Sequence, residues 1–504
     1  MVVSLLGASG HMGFATLKEF LKIKAIDLIK VLLLAKNKQN KLVKRLAKKN
    51  PKRIEIIYGD IAKYEDVDKM VKGSDYLFNL AAIIPPKSDK YPHLSYLVNE
   101  LGTINVVKAI ENHPQIKLID ITSVALYGSR NHLHPFIRIG DPVMPSVYDV
   151  YAAHKMRSEY QILESNIEHF VVIRQTAMLH KEMLFANLSD GLLFHTPFNS
   201  PLEWSTAEDS GLLMANIIKE DLQGHLTKDN FWNKIFNLGG GLANRITGYE
   251  TFEGGFRLIG AETKNIFCLN DNVIRNFHGG YYFDGAILED MFHYQRHTIV
   301  EYWQKIKKSY PILKLGRLLS QSVLKKLVIK RLYRNNNSPK YWYKEKDHPR
   351  MTAFFGSIEQ YEKLSPSWDD FKLWDYQNHR DLANYKKDID YGFDIEKSDK
   401  DITIEDLRNV ALLHGGKLLS NDFKTGDVYT KLLWENSDKV KFTSKPYTII
   451  RGGHWYNPLY QSNTWDFDRL AKSDKIFRAY WYDSHHADEN NCYYMDQDYQ
   501  ARIK

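Results

Sequence analysis

The hydrophobic pattern at the start of the chain predicts alternating strands and helices. A short apolar run over residues 2–6 is followed by an amphipathic helix, and a second apolar run covers residues 28–34. The alternation continues to about Ile218. Buried apolar strands that alternate with amphipathic helices are typical of a parallel sheet covered on both faces, so we expect a doubly wound α/β fold.

Three glycines, Gly7, Gly10 and Gly13, separate the first strand from the first helix. Glycine at such positions permits a tight turn, lets a pyrophosphate approach the backbone and allows close contact between helix and sheet. The helix N-terminus offers free N–H groups and the positive end of its dipole to phosphates. An ordinary strand-to-helix turn is the alternative, but the order strand, turn, helix favours dinucleotide binding. The expected contacts from this loop are Gly7, Ser9, Gly10, His11, Met12 and Gly13.

Lysines follow the second strand, where the adenosine ribose of a cofactor should lie. Lys36 and Lys38 stand there, and the segment has no acidic residue to bind a free 2′-hydroxyl. Lysine suits a 2′-phosphate, so the sequence favours NADP over NAD. The alternative is that these lysines only solvate the next helix.

Further motifs resemble the extended short-chain dehydrogenase/reductases, the family that includes NAD-dependent epimerases and dehydratases. They are Ile54-Glu-Ile-Ile-Tyr-Gly-Asp60-Ile61, Tyr76-Leu-Phe-Asn-Leu-Ala81-Ala82 and Asn99-Glu-Leu-Gly-Thr-Ile-Asn-Val106. The resemblance implies that Asp60 and Ile61 border the adenine and that Ala81 and Ala82 line the cofactor cleft. It also implies that Asn99 braces the active site from a helix.

The catalytic residues of this family have matching positions in the chain. Ser123 closes a predicted strand, and Tyr151-Ala-Ala-His-Lys155 opens a helix. Residues four apart share one helix face, so Lys155 lies near Tyr151. Its ammonium is expected to favour the phenolate of Tyr151, which exchanges a proton with the substrate oxygen while Ser123 hydrogen-bonds that oxygen. Lys155 should also hold the nicotinamide ribose.

The residues after Ser123 and those over 171–178 limit which reactions of this family the chain is expected to catalyse. Sugar-nucleotide 4,6-dehydratases carry Thr-Asp-Glu where this chain has Ser123-Val-Ala, so the residues that eliminate water are missing. Residues 171–178 lack the Asn-Pro or Tyr-Gly-Pro ending usual in sugar-nucleotide epimerases, which weakens that interpretation without removing it.

Length and composition indicate the number of domains, the cellular compartment and the kind of partner. A chain of 504 residues with 43% hydrophobic residues is expected to form two or more domains. The apolar start is the first strand and lacks a basic n-region, and no apolar run approaches a membrane span. The two cysteines, Cys268 and Cys492, indicate free thiols in a reducing cytoplasm. We expect a small-molecule substrate and no nucleic-acid partner, and homo-oligomerisation stays open.

Three regions are predicted. Residues 1–304 form the dinucleotide-binding domain with a smaller substrate lobe, mainly residues 175–304, in which the cluster Phe277–Asp284 either walls a pocket or packs between lobes. Residues 305–400 form a helical, aromatic connection, and residues 401–504 an α+β module. Every expected catalytic residue lies before Met156, so the chain after about Lys308 is expected to support the lobe or an oligomer contact and to contribute no hydride-transfer residue.

A basic amphipathic helix is predicted over residues 311–334. Its apolar face comprises Ile312, Leu315, Leu319, Val323 and Leu327, with Lys and Arg around it. Such a helix could lie on an anionic membrane or line an acyl pocket. Lys326 and Lys330 intrude near the apolar face, so docking on its own domain is preferred over membrane contact.

Residues 402–459 resemble a bacterial treble-clef zinc-finger module that has lost its metal ligands. Asn436, Val440, Tyr456 and Leu459 occupy the four ligand positions, and these side chains do not form a tetrahedral zinc site. We therefore expect no bound metal and a module held by its core.

Three functions fit these observations. The favoured one is an NADP-dependent oxidoreductase that interconverts a secondary alcohol and a carbonyl on a small molecule. The second is an NDP-sugar epimerase or reductase, and the third is a cofactor-binding scaffold or sensor without turnover.

Overall fold

A seven-stranded parallel sheet forms the centre of the N-terminal half. The computed structural model of the protein describes residues 1–183, 191–385, 389–455 and 464–494. Within these residues the first twelve strands are β1 Val2–Leu6, β2 Leu28–Leu33, β3 Ile54–Tyr58, β4 Tyr76–Asn79, β5 Lys117–Ser123, β6 Phe136–Ile137, β7 Phe170–Gln175, β8 Ala177–Leu179, β9 Pro201–Thr206, β10 Lys234–Leu238, β11 Arg245–Thr247 and β12 Tyr281–Tyr282. The strand order in the large sheet is β10-β7-β5-β4-β1-β2-β3.

Helices cover both faces of this sheet, which confirms the predicted doubly wound α/β fold. They are α1 His11–Phe20, α2 Lys41–Lys49, α3 Tyr64–Val71, α4 Lys87–Lys90, α5 Pro92–Ser95, α6 Gly102–Asn112, α7 Val150–Leu163 and α8 Ala207–Leu222. Strands β4 and β7 are buried along their whole length, as expected for strands with helices on both sides. One core cluster joins α1 to α8, including Leu17 and Leu213, and a second covers the face under α3, α6 and α7.

The substrate lobe combines a small sheet with short helices. Strands β8, β9 and β11 form a three-stranded sheet in which β8 pairs parallel and β11 antiparallel with β9. The helices of this part are α9 Gly248–Leu258, α10 Thr263–Ile266, α11 Ala286–Phe292 and α12 Ile299–Ser309. Strand β12 leaves the lobe and pairs with β6, which ties the lobe to the chain just after β5.

The segment predicted as one amphipathic helix over 311–334 is broken. It consists of a 3₁₀ turn at Pro311–Leu318, the short helix α13 Gln321–Lys325, a π turn at Lys326–Lys330 and a 3₁₀ turn at Leu332–Arg334. The chain is extended at Leu319 and Ser320, so a single helical face cannot run through this point. The prediction of one docked face is therefore wrong: Leu324, Ile329 and Leu332 are buried, whereas Ile312, Leu315 and the rest of the predicted face are exposed.

The C-terminal part packs against the dinucleotide-binding part. Its remaining elements are α14 Pro339–Lys344, α15 His348–Phe355, α16 Ile358–Lys363, α17 Ile404–Leu413, α18 Pro446–Ile450, α19 Phe467–Ser473 and α20 Lys475–Trp481, with strands β13 Lys417–Leu418, β14 Leu432–Glu435, β15 Lys441–Ser444, β16 Thr464–Asp466 and β17 Cys492–Tyr494. Trp434 and Ile449 belong to the same core cluster as Ile162 of α7 and Phe170 of β7. The C-terminal part therefore shares a continuous core with the parallel sheet.

Candidate functional site

The glycine loop has the geometry that close packing requires. Gly7 has φ +77°, and a Cβ there would lie 2.5 Å from the carbonyl oxygen of Leu80. At Gly13 a Cβ would lie 2.2 Å from the carbonyl oxygen of Gly7. Gly10 precedes α1, and no side chain caps that helix. The first turn of α1 therefore keeps backbone N–H groups for a ligand, and these residues fit a dinucleotide pyrophosphate.

Other residues of the loop face the substrate lobe. Ser9 is partly exposed and Met12 is buried. The exposed ring of His11 stacks on the ring of His180 with 3.8 Å between centroids, and its Nδ1 lies 3.6 Å from a carboxylate oxygen of Glu182. The predicted cofactor loop thus contacts the segment that follows β8.

Lys36 and Lys38 follow β2, and both are exposed. They stand at the carboxyl end of the strand where the sequence places the adenosine ribose. Asp60, after β3, accepts a hydrogen bond from the backbone N–H of Ala62 at 3.0 Å, and Ile61 is buried. The first role of the Asp60 carboxylate is therefore to shape the turn after β3.

Ala81 and Ala82 follow β4, and Asn99 holds the segment they begin. Ala81 is partly exposed and Ala82 exposed. The side chain of Asn99 donates to the carbonyl of Ile83 at 2.9 Å and accepts from its N–H at 2.8 Å. Asn99 also donates to the hydroxyl of Ser95 at 3.0 Å. Asn99 is fully buried, so it fixes this backbone and does not face an open cleft.

Ser123 and Tyr151 meet at the carboxyl end of β5. Ser123 is the last residue of β5, and its hydroxyl accepts from the N–H of Ala125 at 3.2 Å. Tyr151 lies in the first turn of α7, which Asp149 caps by accepting from the N–H of Ala152 at 2.9 Å. The side chain of Ser123 is near enough to the Tyr151 hydroxyl to act on its pKa. The structure therefore brings two of the three predicted catalytic side chains to the same end of β5.

Burial controls the protonation of Tyr151. It raises the pKa of the Tyr151 hydroxyl to about 12; the Ser123 side chain opposes this change, and the charges of Asp149 and Asp120 reinforce it. That Lys155 favours the phenolate of Tyr151 stays a prediction. Tyr151 is protonated at neutral pH.

Lys155 is buried beneath the site and points toward β5. Its ammonium donates to the carbonyl of Ile121 at 2.7 Å. Burial lowers the pKa of Lys155, while the carboxylates of Asp120 and Glu159 oppose that shift. The Lys155 ammonium therefore lies near these two acidic groups.

A buried ion pair supports α7 one turn after Lys155. Glu159 pairs with Arg174 of β7, and it also accepts hydrogen bonds from Thr122 at 2.7 Å and from His454 at 2.8 Å. The guanidinium of Arg174 and the ring of His454 hold the pKa of Glu159 at about 2 despite its burial. Arg174 also donates to the carbonyl of Gly452 at 2.6 Å. The C-terminal part thus reaches the helix that bears the predicted catalytic residues.

The sequence did not predict the buried network of Glu159, Arg174 and His454. The spacing of Lys155 and Glu159, four residues apart on one helix face, was a usable signal for Glu159. Nothing local in the sequence connects His454 with Glu159, since that contact depends on tertiary packing.

An apolar cavity of about 360 Å³ adjoins the site. Val124, the residue after Ser123, lines it, together with Trp204, Phe256 and Trp303 of the lobe. No Lys or Arg is among the described residues that line it. Its acidic lining residue, Glu203, has no exposed side chain and pairs with Arg245 at 3.0 Å. The cavity therefore suits an uncharged, largely apolar molecule.

The cluster Phe277–Asp284 serves in both of the predicted ways. Phe277, His278, Gly279 and Gly280 line the cavity, while Tyr281 and Tyr282 are buried in β12. His278 Nδ1 lies 3.4 Å from a carboxylate oxygen of Asp149, the cap of α7. Because Tyr151 follows two residues later, His278 joins the cavity wall to the start of the catalytic helix.

Residues for metal binding were expected to be absent. Among the described residues, His11, His180 and Glu182 bring possible ligand atoms within 4.8 Å of one another. The two rings are stacked at 14°, so their in-plane lone pairs run side by side instead of converging.

In the predicted treble-clef module, the side-chain oxygen of Asn436 accepts hydrogen bonds from the backbone N–H groups of Asp438 and Val440, both at 2.9 Å, and so shapes a turn. Tyr456 and Leu459, which occupy two other predicted ligand positions, lie outside the described residues.

Within the part of the chain that the structure describes, no helix is both long enough and apolar enough to cross a bilayer.

Comparison with known proteins agrees with this geometry. Residues 4–180 match the sequence model of the 3-beta hydroxysteroid dehydrogenase/isomerase family. A double mutant of the dTDP-glucose 4,6-dehydratase from Streptomyces venezuelae, solved with NAD and DAU bound, is similar over 63% of this chain and 98% of its own, with 17% identity and a TM-score of 0.50. At this identity the likeness concerns the fold. The part of the chain that aligns has the fold of this dehydratase.

Curated relatives are similar to a shorter stretch. The UDP-glucose 4-epimerase of Rickettsia akari (strain Hartford) is 33% identical over 124 residues, and that of Rickettsia bellii (strain RML369-C) is 36% identical over 126 residues. Each match covers 24% of this chain and 36% of the relative. The chain thus matches about a third of the length of these epimerases.

Proposed function

We propose that the protein is an NADP-dependent oxidoreductase that interconverts a secondary alcohol and a carbonyl on a small, largely apolar molecule. The observation that carries this proposal is that Ser123, the last residue of β5, and Tyr151, in the first turn of α7, lie together at the carboxyl end of β5, beside an apolar cavity. In parallel α/β sheets, ligands bind outside the carboxyl ends of the strands, so the pair stands where a reacting group would lie.

Tyr151 is the proposed acid–base residue. Because its pKa is raised to about 12, it holds its proton at neutral pH and can donate it to a carbonyl oxygen that is being reduced. Ser123 hydrogen-bonds the same oxygen and orients it. Lys155 keeps the end of β5 in place through the carbonyl of Ile121 and is the proposed ribose contact.

The glycine loop is the proposed cofactor site. The uncapped first turn of α1 supplies N–H groups for a pyrophosphate, and Lys36 and Lys38 are placed for a 2′-phosphate. Asp60, Ile61, Ala81 and Ala82 border the proposed cleft. When bound there, a nicotinamide dinucleotide supplies or accepts hydride. The NAD in the Streptomyces venezuelae structure belongs to that protein, and the two lysines support NADP here.

A second candidate is an NDP-sugar epimerase. The sequence identity with UDP-glucose 4-epimerases favours an epimerase. In the Rickettsia akari match, that identity extends over 124 residues, which is 24% of this chain. The lining of the cavity opposes it, because a sugar nucleotide carries a charged pyrophosphate and the described lining offers no Lys or Arg.

One experiment separates the two candidates. The full chain is incubated with NADPH and apolar cyclic or long-chain ketones, and separately with NAD⁺ or NADP⁺ and UDP-glucose or UDP-galactose, with Tyr151→Phe as control. The proposal expects NADPH oxidation that depends on the ketone and on Tyr151. Interconversion of the UDP-sugars without net NADPH oxidation would establish the epimerase, and cofactor binding without turnover of any of these compounds would favour a scaffold.

A further inference from the structure

Apolar side chains are concentrated on the surface of residues 311–334, here called the basic segment. The exposed fractions are Ile312 70%, Leu315 58%, Leu318 81%, Leu319 42%, Val323 40% and Leu327 62%. Isolated exposed leucines are normal on proteins, but six within sixteen positions form a patch that soluble surfaces seldom carry without a partner.

Positive charge surrounds this apolar patch. The basic segment contains no Asp or Glu, and its cations are Lys314, Arg317, Lys325, Lys326, Lys330, Arg331 and Arg334. All except Lys325 are exposed. Among the described residues, none of the exposed six forms an ion pair. Their charge is therefore available to an external anion.

The other side of the basic segment is fixed to the substrate lobe. Leu324, Ile329 and Leu332 are buried in one cluster with Phe256 and Phe267. The hydroxyl of Ser320 caps α13 by accepting from the N–H of Val323 at 3.4 Å. The exposed apolar side chains are consequently held outward by a docked backbone.

We propose that the basic segment docks on an anionic lipid surface. The exposed aliphatic side chains would enter the boundary between headgroups and acyl chains, and the exposed cations would lie at the lipid phosphates. The short, broken helical turns suit a segment that lies in the interface, since none of them is long enough to cross a bilayer.

The combination of positive charge and apolar surface favours an anionic bilayer over a second copy of the chain or a nucleic acid as the partner of the basic segment. A second copy of the chain that packed the same patch against itself would bring the six exposed cations against six others, at an energetic cost. Nucleic acid would neutralise the cations, but it would leave the aliphatic side chains in water, because base recognition uses aromatic and polar side chains. An anionic bilayer satisfies both the charge and the apolar surface.

The docking surface also touches the cavity. Leu313 and Val328 of the basic segment line the cavity that Val124 borders on its other side. Docking would therefore bring one wall of the cavity to the lipid surface. This consequence rests on the proposed function, whereas the docking itself does not depend on it.

The test uses vesicle flotation of the full chain. Vesicles of phosphatidylcholine with about a third phosphatidylserine are compared with pure phosphatidylcholine at low and high salt. We expect at least about tenfold tighter binding to the anionic vesicles, weakened by salt. Leu318→Glu with Leu327→Glu should reduce that binding at least about tenfold. Leu412→Glu, which changes a leucine that is 66% exposed outside the segment, should not.

A charge pair completes the test. Lys326→Glu with Lys330→Glu should abolish the preference for anionic vesicles, while Lys48→Glu with Lys49→Glu, on the basic helix α2, should leave it unchanged. Equal binding to both vesicle types, no binding to either, or equal loss in the segment and control variants would overturn the proposal. So would a self-association, or an RNA affinity, that Leu318→Glu abolishes while vesicle binding persists. NADPH affinity is measured in parallel, so that loss of docking is distinguished from failure of the proposed oxidoreductase function.

Discussion

His454 donates a hydrogen bond to Glu159 over 2.8 Å, from a position 295 residues further along the chain. Both side chains are fully buried. Glu159 follows Lys155 by one helical turn on α7 and pairs with Arg174 of β7. The C-terminal part therefore completes the polar network beneath the proposed catalytic residues.

Replacing His454 should destabilise the fold. In His454→Ala, the buried carboxylate of Glu159 loses one of its hydrogen-bond donors, which we expect to lower the free energy of unfolding by about 1–3 kcal/mol. Urea denaturation followed by tryptophan fluorescence measures this change. His454→Gln, which can still donate to the carboxylate, should recover part of the loss.

The matched control is His486→Ala, because His486 is exposed and lies in the same C-terminal part. Its unfolding free energy should stay within about 0.5 kcal/mol of the unmodified chain. If His454→Ala were as stable as His486→Ala, the contact with Glu159 would not support the fold.

Lys36 and Lys38 should select the phosphorylated cofactor. We expect Lys36→Ala with Lys38→Ala to weaken NADPH binding by about tenfold and to leave NADH binding unchanged, because only NADPH carries a 2′-phosphate. Titration of both reduced cofactors at one salt concentration measures the two affinities. The control is Lys48→Ala with Lys49→Ala, which removes two cations from the end of α2. An equal loss of NADPH affinity in both double variants would show that the lysines attract the negatively charged cofactor only at long range, without a specific contact to its 2′-phosphate.

Buried histidines should make stability depend on pH. Burial lowers the pKa of His154 to about 3 and that of His195 to about 4. The unfolded chain binds these protons near pH 6.5, so the contribution is complete above that pH and is lost as the pH falls toward the lowered pKa values. Each histidine should cost about 1.4 kcal/mol per pH unit in this window.

Denaturation at pH 7.5, 5.5 and 4.5, values that span this window, measures that slope. His154→Asn should reduce the slope of the unfolding free energy against pH by about 1.4 kcal/mol per pH unit, which corresponds to one proton fewer taken up on unfolding. His486→Asn, at an exposed position, should leave that slope unchanged. Identical slopes in the unmodified chain and in His154→Asn would contradict the neutral, buried state of His154.

The dinucleotide-binding part could be predicted because its signals are local. Gly7 and Gly13 are required by backbone contacts within and next to one loop, and the strand expected over residues 28–34 is observed at Leu28–Leu33. Parallel strands buried on both faces also have a recognisable apolar pattern. The spacing of Tyr151 and Lys155 placed both residues on α7.

Other features depend on contacts that no local pattern encodes. Helical periodicity assigned one face to residues 311–334, but the extended backbone at Leu319 and Ser320 interrupts it and turns a different set of side chains inward. The spacing of Lys155 also did not reveal that its ammonium donates to the carbonyl of Ile121 near the charges of Asp120 and Glu159. The pairing of His454 with Glu159 depends on the packing of the whole C-terminal part.

Single-turnover hydride transfer by Tyr151→Phe tests the central claim most directly. The variant removes the phenolic oxygen and keeps the ring, so NADPH affinity should stay within about twofold while reduction of an accepted ketone slows by about 10²–10⁴-fold. Stopped-flow loss of NADPH absorbance gives the rate, and fluorescence titration gives the affinity. Hydride transfer by Tyr151→Phe at the rate of the unmodified chain would contradict the role of Tyr151 as the acid–base residue.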